Sequence, residues 1–287
     1  MAALVEPLQY QFFLHGLLAA LLAGSLCGML GVYIILRRMS YIGHGLAHAV
    51  FGGAVVSQIV GVNFYLGAGL WGFGAALLIH LVAAKREINA DVAIGVVTTA
   101  SFAVGVAVMS RVRRYTRDFD AALFGDVLGV SEGDLLLIGL VTLLAAVVIF
   151  LFYKQLLFST FDEEVAQVTG VPTRAIQLVF ALLLALAILS AMRVLGVTLI
   201  AAAIVVPAAT ARLLTHNFTT MLLVSTALGG LTALLGMYLS YYLDIASGAS
   251  IVLFAALLFM AVLGGRRLIW RQKPQFGGAG SHGGYHL

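Results

Sequence analysis

His44 and His48 stand four residues apart in the stretch MSYIGHGLAHAVFGG, residues 39–53. An α-helix advances about 3.6 residues per turn, so positions i and i+4 lie one above the other on one face. Two imidazoles placed this way can share one divalent cation. No Asp, Glu, Lys or Arg occurs from Met39 to Ala84, and a metal-capable pair inside such an apolar stretch marks a functional site. Two ligands fall short of the four that a closed zinc site takes. Either two such pairs together supply four, or each pair holds the ion transiently, with water or another side chain completing the shell. Weak coordination suits transport, because the ion must leave again. A zinc protease helix would carry HExxH, with Glu as general base. Gly45 stands where that Glu belongs, so hydrolysis at this pair is not expected.

The elements that must hold the pair are membrane helices. Only 10% of the 287 residues are charged, against about 25% in a soluble domain, so the chain reads as all-α and polytopic. Runs of about 18 or more apolar residues can cross a bilayer. They fall near 11–36, 42–60, 64–84, 91–110, 134–153, 173–192, 194–213, 219–241 and 248–265. That gives nine spans, or eight if one pair is a single broken helix.

The clusters Arg37/Arg38, Lys85/Arg86 and Arg266, Arg267, Arg271, Lys273 share the cytoplasmic side if the N-terminus is outside. Arg111, Arg113, Arg114 and Arg117 disagree with that count. AALFGDVLGVSEGD (121–134) is too short and Gly-broken to span, and is expected to pack on protein as a re-entrant or surface segment. Its acids Asp126, Glu132 and Asp134 read equally as cation attractors or helix caps. Gly43, Gly45, Gly52 and Gly53 surround the histidines and point to close helix packing.

MAALVEPLQY lacks a basic leader region, so the first apolar run is expected to stay in the mature protein. Cys27 is the one cysteine, which excludes an intrachain disulfide. The net charge of +4 has no aromatic-interleaved basic patch behind it, so no nucleic-acid partner is expected. Residues 1–265 read as a transmembrane domain, and 266–287 as a cytoplasmic Gly- and His-containing tail, disordered by composition.

KQLLFSTFDEEVAQVTGVP (154–172) is the most polar segment. Thr160 with Glu163 fits a capping box. Asp162, Glu163 and Glu164 suit the first turn of a helix, and Phe161, Val165 and Val168 make a short apolar stripe. Gly170 can end that helix and Pro172 can start the next. The segment reads as an amphipathic surface helix, about 161–169, able to seat its stripe in a groove of a soluble partner.

LRRMSYIGHGLAHAVFGGAVV, LFGDVLGVSEGDLL (123–136), FDEEVAQVTGVP (161–172) and VTLIAAAIVVPAATARLL (197–214) together resemble the permease subunits of metal-ion ABC transporters, importers of zinc, manganese and iron(II). The resemblance covers about 10–265. It implies a type II ABC importer fold, also seen in permeases for cobalamin and siderophores, in the cell membrane of a prokaryote. It implies a homodimer with its pathway on the two-fold axis, two copies of a separate ATPase and an extracytoplasmic metal-binding protein. The helix at 161–169, with Phe161, Asp162, Glu163, Glu164, Val165, Val168 and Gly170, would couple to the ATPase.

Family members usually carry Asp where this chain has His44, and His at the position of His48. Carboxylate suits manganese, and imidazole suits zinc, copper, iron and nickel. The expected cargo is thus Zn2+ ahead of Mn2+ or Fe2+, carried as substrate with no permanent cofactor. The chain lacks a GxxxxGK[ST] phosphate loop, so hydrolysis falls to the partner. An ion-gradient carrier is the alternative; it would call for intramembrane acids, and none is evident.

Overall fold

The computed structural model describes residues 6–83, 89–111, 123–127 and 129–271. Lys85, Arg86, Arg113, Arg114, Arg117 and the tail from 272 lie outside them. Among the described residues, eleven α-helices follow a 3-10 turn at Pro7–Gln9. They are α1 Gln11–Leu36, α2 Ser40–Val60, α3 Phe64–Ala83, α4 Ala90–Arg111, α5 Glu132–Leu151, α6 Tyr153–Phe161, α7 Glu163–Val168, α8 Thr173–Leu195, α9 Val197–Leu214, α10 Phe218–Leu243 and α11 Ser247–Arg271. No strand occurs among the described residues.

Eight of these helices are long and apolar enough to span a membrane. The ninth, α2, has 21 residues and so the necessary length. His44, His48, Ser57 and Gln58 lower its hydropathy. The expected spans at 173–192 and 194–213 are separate helices broken at Gly196, whose φ of +76° stops α8.

Arg37, Lys154, Arg174, Arg212 and Arg266 gather at one end of the bundle, where Arg266 donates to the Leu213 carbonyl (3.0 Å) and Tyr153 meets Thr219 (2.9 Å). By the excess of basic residues this end is cytoplasmic. Residues 123–127, 129 and 130 close the other end. There Thr198 donates to the Leu123 carbonyl (2.7 Å) and the Asp126 amide to that of Arg193 (2.8 Å). The segment packs on protein, as its glycines implied.

α1 and α8 form the centre. α1 packs along α10 and also against α9, α5 and α8, and α2 packs between α4 and α3. Small residues set these distances. A Cβ at Gly24 would fall 2.3 Å from the Gly229 carbonyl oxygen, at Gly28 2.3 Å from that of Ser225, and at Gly31 2.0 Å from that of Ile204. Lipid tails are as apolar as leucine, so helices in a bilayer associate through such close backbone approach and the hydrogen bonds it permits. Ser225 makes one of these bonds, donating to the Gly28 carbonyl. Gly28→Leu is expected to part α1 from α10 and cost about 3 kcal/mol or more. A lowered unfolding midpoint in detergent checks it; an unchanged midpoint would mean the α1–α10 contact is not what holds the bundle.

Candidate metal site and coupling surface

His44 and His48 lie one and two turns into α2 from its cytoplasmic end. Their Nε2 atoms are 3.0 Å apart and their rings meet edge to face, centroids 4.4 Å apart. α4 supports the pair. Phe102 packs on His48 (centroids 4.6 Å) and on Phe51 (5.8 Å). Gly45 and Gly52 flank His48 on the same face of α2. A Cβ at Gly45 would come within 2.8 Å of Ile94 Cγ2, and one at Gly52 within 2.3 Å of the Ser101 carbonyl oxygen. Gly53 turns to α3, where Trp71 Cβ would lie 2.3 Å from its added Cβ. The glycines therefore let α4 and α3 close on the histidine helix, and the pair is half-buried as a result.

His48 Nδ1 is buried and has no hydrogen-bond partner among the described residues. Nε2 is thus the ligand atom that His48 presents, and it points at the matching atom of His44. Among the described residues no third His, Cys, Asp or Glu joins them in a metal-holding group. The pair offers two nitrogens and no more.

Asp134 is not a free acid at the outer end. It is 6% exposed, pairs with Arg193 (3.2 Å), accepts from Tyr65 and closes a capping box with Ser131 at the start of α5. Its capping role holds, and Arg193 offsets its charge.

The segment expected to be a coupling helix differs from its sequence reading at its start. Thr160 does not cap: its hydroxyl donates to the Leu156 carbonyl (2.6 Å), back into α6. Asp162 is the cap of α7, accepting from the Val165 amide (3.0 Å). Phe161 belongs to α6, so the expected single helix over 161–169 is a helix end, a cap and the short α7. A carboxylate caps better here because it both accepts the amide bond and complements the dipole. Glu163 and Glu164 follow in the first turn, and Gly170 ends the element at φ +84°. Phe161, Val165 and Val168 are 62%, 51% and 89% exposed. The stripe is uncovered in the single chain.

Sequence reasoning missed Arg37. Its Nε donates to Thr160 Oγ1 (3.1 Å), its Nη2 to Ser159 Oγ (3.0 Å), and its Cζ lies 4.9 Å above the Phe180 ring. Burial pushes its guanidinium down to about 10, with Tyr33 and Glu163 opposing, so it stays charged at neutral pH. More than a hundred residues separate the partners, and no local pattern announces the contact.

The model of the ABC 3 transport family matches residues 9–265. The manganese transport system membrane protein MntC of Halalkalibacterium halodurans is 40% identical, over 88% of this chain and 87% of that protein. The manganese import system permease protein ScaB of Streptococcus gordonii is 36% identical over 88% and 90%. A Haemophilus influenzae membrane protein named for iron transport is 33% identical over 91% and 96%. The zinc preference drawn from two imidazoles finds no support among these relatives. The solved structure of PsaBC from Streptococcus pneumoniae superposes with a TM-score of 0.83 at 32% identity, over 93% of this chain and 98% of that one. An inward-facing structure assigned to the metal-chelate type of ABC transporter gives 0.73 at 18% identity over 88% and 85%, which shows the fold alone. The chain belongs to the ABC 3 transport family, the metal-ion ABC permeases that its motifs resemble, and is a multi-pass membrane subunit with no catalytic chemistry of its own.

Proposed function

We propose that this permease imports a divalent transition-metal ion, Mn2+ or Fe2+, with His44 and His48 contacting the ion on its way. The observation that carries the reading is the convergence of the two Nε2 atoms at 3.0 Å. That separation is a hydrogen-bond contact between the two rings, so both atoms converge on one point, where a cation can take the place of the shared proton. The choice of Mn2+ or Fe2+ over Zn2+ rests on the relatives named for manganese and iron.

Two nitrogens from one chain leave the remaining positions to water or to the pair of a second copy. The working assembly is a homodimer with two ATPase chains docked at the α6–α7 surface and a metal-binding protein delivering from outside. ATP closes the ATPase dimer, α7 moves, and α2 presents its pair to the other side of the membrane, as alternating access requires.

The test is uptake of manganese, iron(II) and zinc by cells expressing the permease with its ATPase and delivery protein. Manganese or iron uptake above zinc is expected. His44→Asp is expected to retain uptake and raise the preference for manganese over iron by about tenfold, because carboxylate suits manganese better than imidazole does. An unchanged metal profile would show that position 44 does not set selectivity. Absence of uptake of all three by the wild type would overturn the import reading.

A further inference from the structure

We propose that Arg37 is the strut that carries movement of the ATPase-coupling surface to the histidine-bearing helix, an inference resting on the import reading above. Arg37 sits in the connection between α1 and α2, which is only Arg37, Arg38 and Met39. That connection is held tightly. The Arg37 amide donates to the Tyr33 carbonyl (3.0 Å), the Arg38 amide to Ile35 (3.2 Å), the Met39 amide to Ile34 (3.1 Å) and the Ile42 amide to Met39 (3.0 Å). Arg38 adopts φ +56° to make the turn, a left-handed conformation that residues other than glycine rarely take. A push on the Arg37 side chain therefore reaches Ser40 through hydrogen-bonded backbone, and His44 stands one helical turn further on.

The other end of the strut is the last turn of α6. Ser159 and Thr160 accept from Arg37 while donating to the Leu156 carbonyl (3.2 and 2.6 Å), so both hydroxyls are fixed in two directions. Asp162, the cap of the coupling helix, is two residues on. Among the described residues no carboxylate lies within ion-pair distance of Arg37. Its charge serves two hydroxyls and the face of Phe180 instead. A planar guanidinium can hold both oxygens and stack at once, which an ammonium cannot.

Packing offers one other path from α7 to α2, through α8, which touches both; the remaining neighbours of α2, chiefly α4, α3 and α9, do not pack on α7. A cavity of about 490 Å³ opens between α7 and α2, lined by Arg37, Met39, Ile42, His80, Glu163 and Gln167. It leaves room for the coupling surface to shift, and Arg37 is the side chain that reaches α6 from the α1–α2 turn along its wall.

The permease is reconstituted with its ATPase, and metal transport, ATP hydrolysis and metal binding are measured on Arg37→Ala, Arg37→Lys and Ser159→Ala/Thr160→Val. The double variant keeps Arg37 over Phe180 and guards against a folding failure of the alanine variant. Metal binding and co-purification of the ATPase are expected to persist. Metal carried per ATP should fall by about tenfold or more in Arg37→Ala and in the double variant, the scale of losing one or two charge-assisted hydrogen bonds, with Arg37→Lys no better than partial.

Spin labels at Tyr41→Cys and Phe158→Cys, both exposed positions in a chain whose native Cys27 is buried, read the linkage without any metal. Their separation should stay constant between nucleotide-free and ATP-bound states in the wild type and change in the double variant. Transport per ATP at the wild-type ratio in the double variant, or an unchanged label distance in it, would overturn the strut. If the wild type moves no metal, the import reading fails while the label distances still decide the linkage.

Discussion

His48→Ala is expected to lower metal uptake by at least about 100-fold, since loss of groups that merely orient a ligand already costs about 10- to 100-fold. Dimer formation and ATPase association should be unchanged. The effect falls on this residue more than on His44 because of its surroundings. Phe102 packs on the His48 ring, and Gly45 and Gly52 bring α4 close on either side of it. His44 instead has the exposed Tyr41 as its other ring neighbour (5.8 Å). A ligand whose ring is clamped is preorganised for the ion, while its neighbour has freedom to adjust. Uptake, expression level and ATPase co-purification measured together check this. Wild-type uptake in His48→Ala would mean that the pair is a packing feature and that the ion travels elsewhere.

The histidine pair was legible because an i,i+4 spacing in an uncharged run needs only helical periodicity to be interpreted. Eight of the expected spans were legible from length and hydropathy, and α2 falls below them because His44, His48, Ser57 and Gln58 make it less apolar. The coupling stripe was legible in its apolar positions but not in its cap. Thr160 and Asp162 both offer an oxygen at a suitable offset, and the choice depends on where α6 ends. Thr160 remains in α6, bonded to Leu156, because Arg37 arrives from the other end of the sequence to hold it. The pairing of Asp134 with Arg193 and Tyr65 was hidden in the same way. Each of these contacts joins helices whose order in space the sequence pattern does not give. Metal identity was not legible from ligand type: two imidazoles favour zinc in a closed tetrahedral site, and the relatives, named for manganese and iron, lend that preference no support.

Replacing both Phe161 and Val165 with Asp is expected to release the ATPase. These side chains with Val168 are the apolar stripe at the cytoplasmic end, and all three are largely uncovered in the single chain. Their exposure is what makes the test clean. Charges introduced there leave the membrane core untouched, since within the chain Phe161 meets only the edge of Phe218 (6.4 Å) among the described aromatic rings. Buried in a partner's groove, each lost anchor costs about 2 kcal/mol, and the two together weaken association by about 1,000-fold. Asp162 caps α7 through the Val165 amide, a backbone group that the substitution keeps, so the helix itself survives. Co-purification of the ATPase with the double variant should fail while its helicity and detergent unfolding match the wild type. Normal co-purification would move the docking surface away from α6–α7, and with it the route by which Arg37 receives its push.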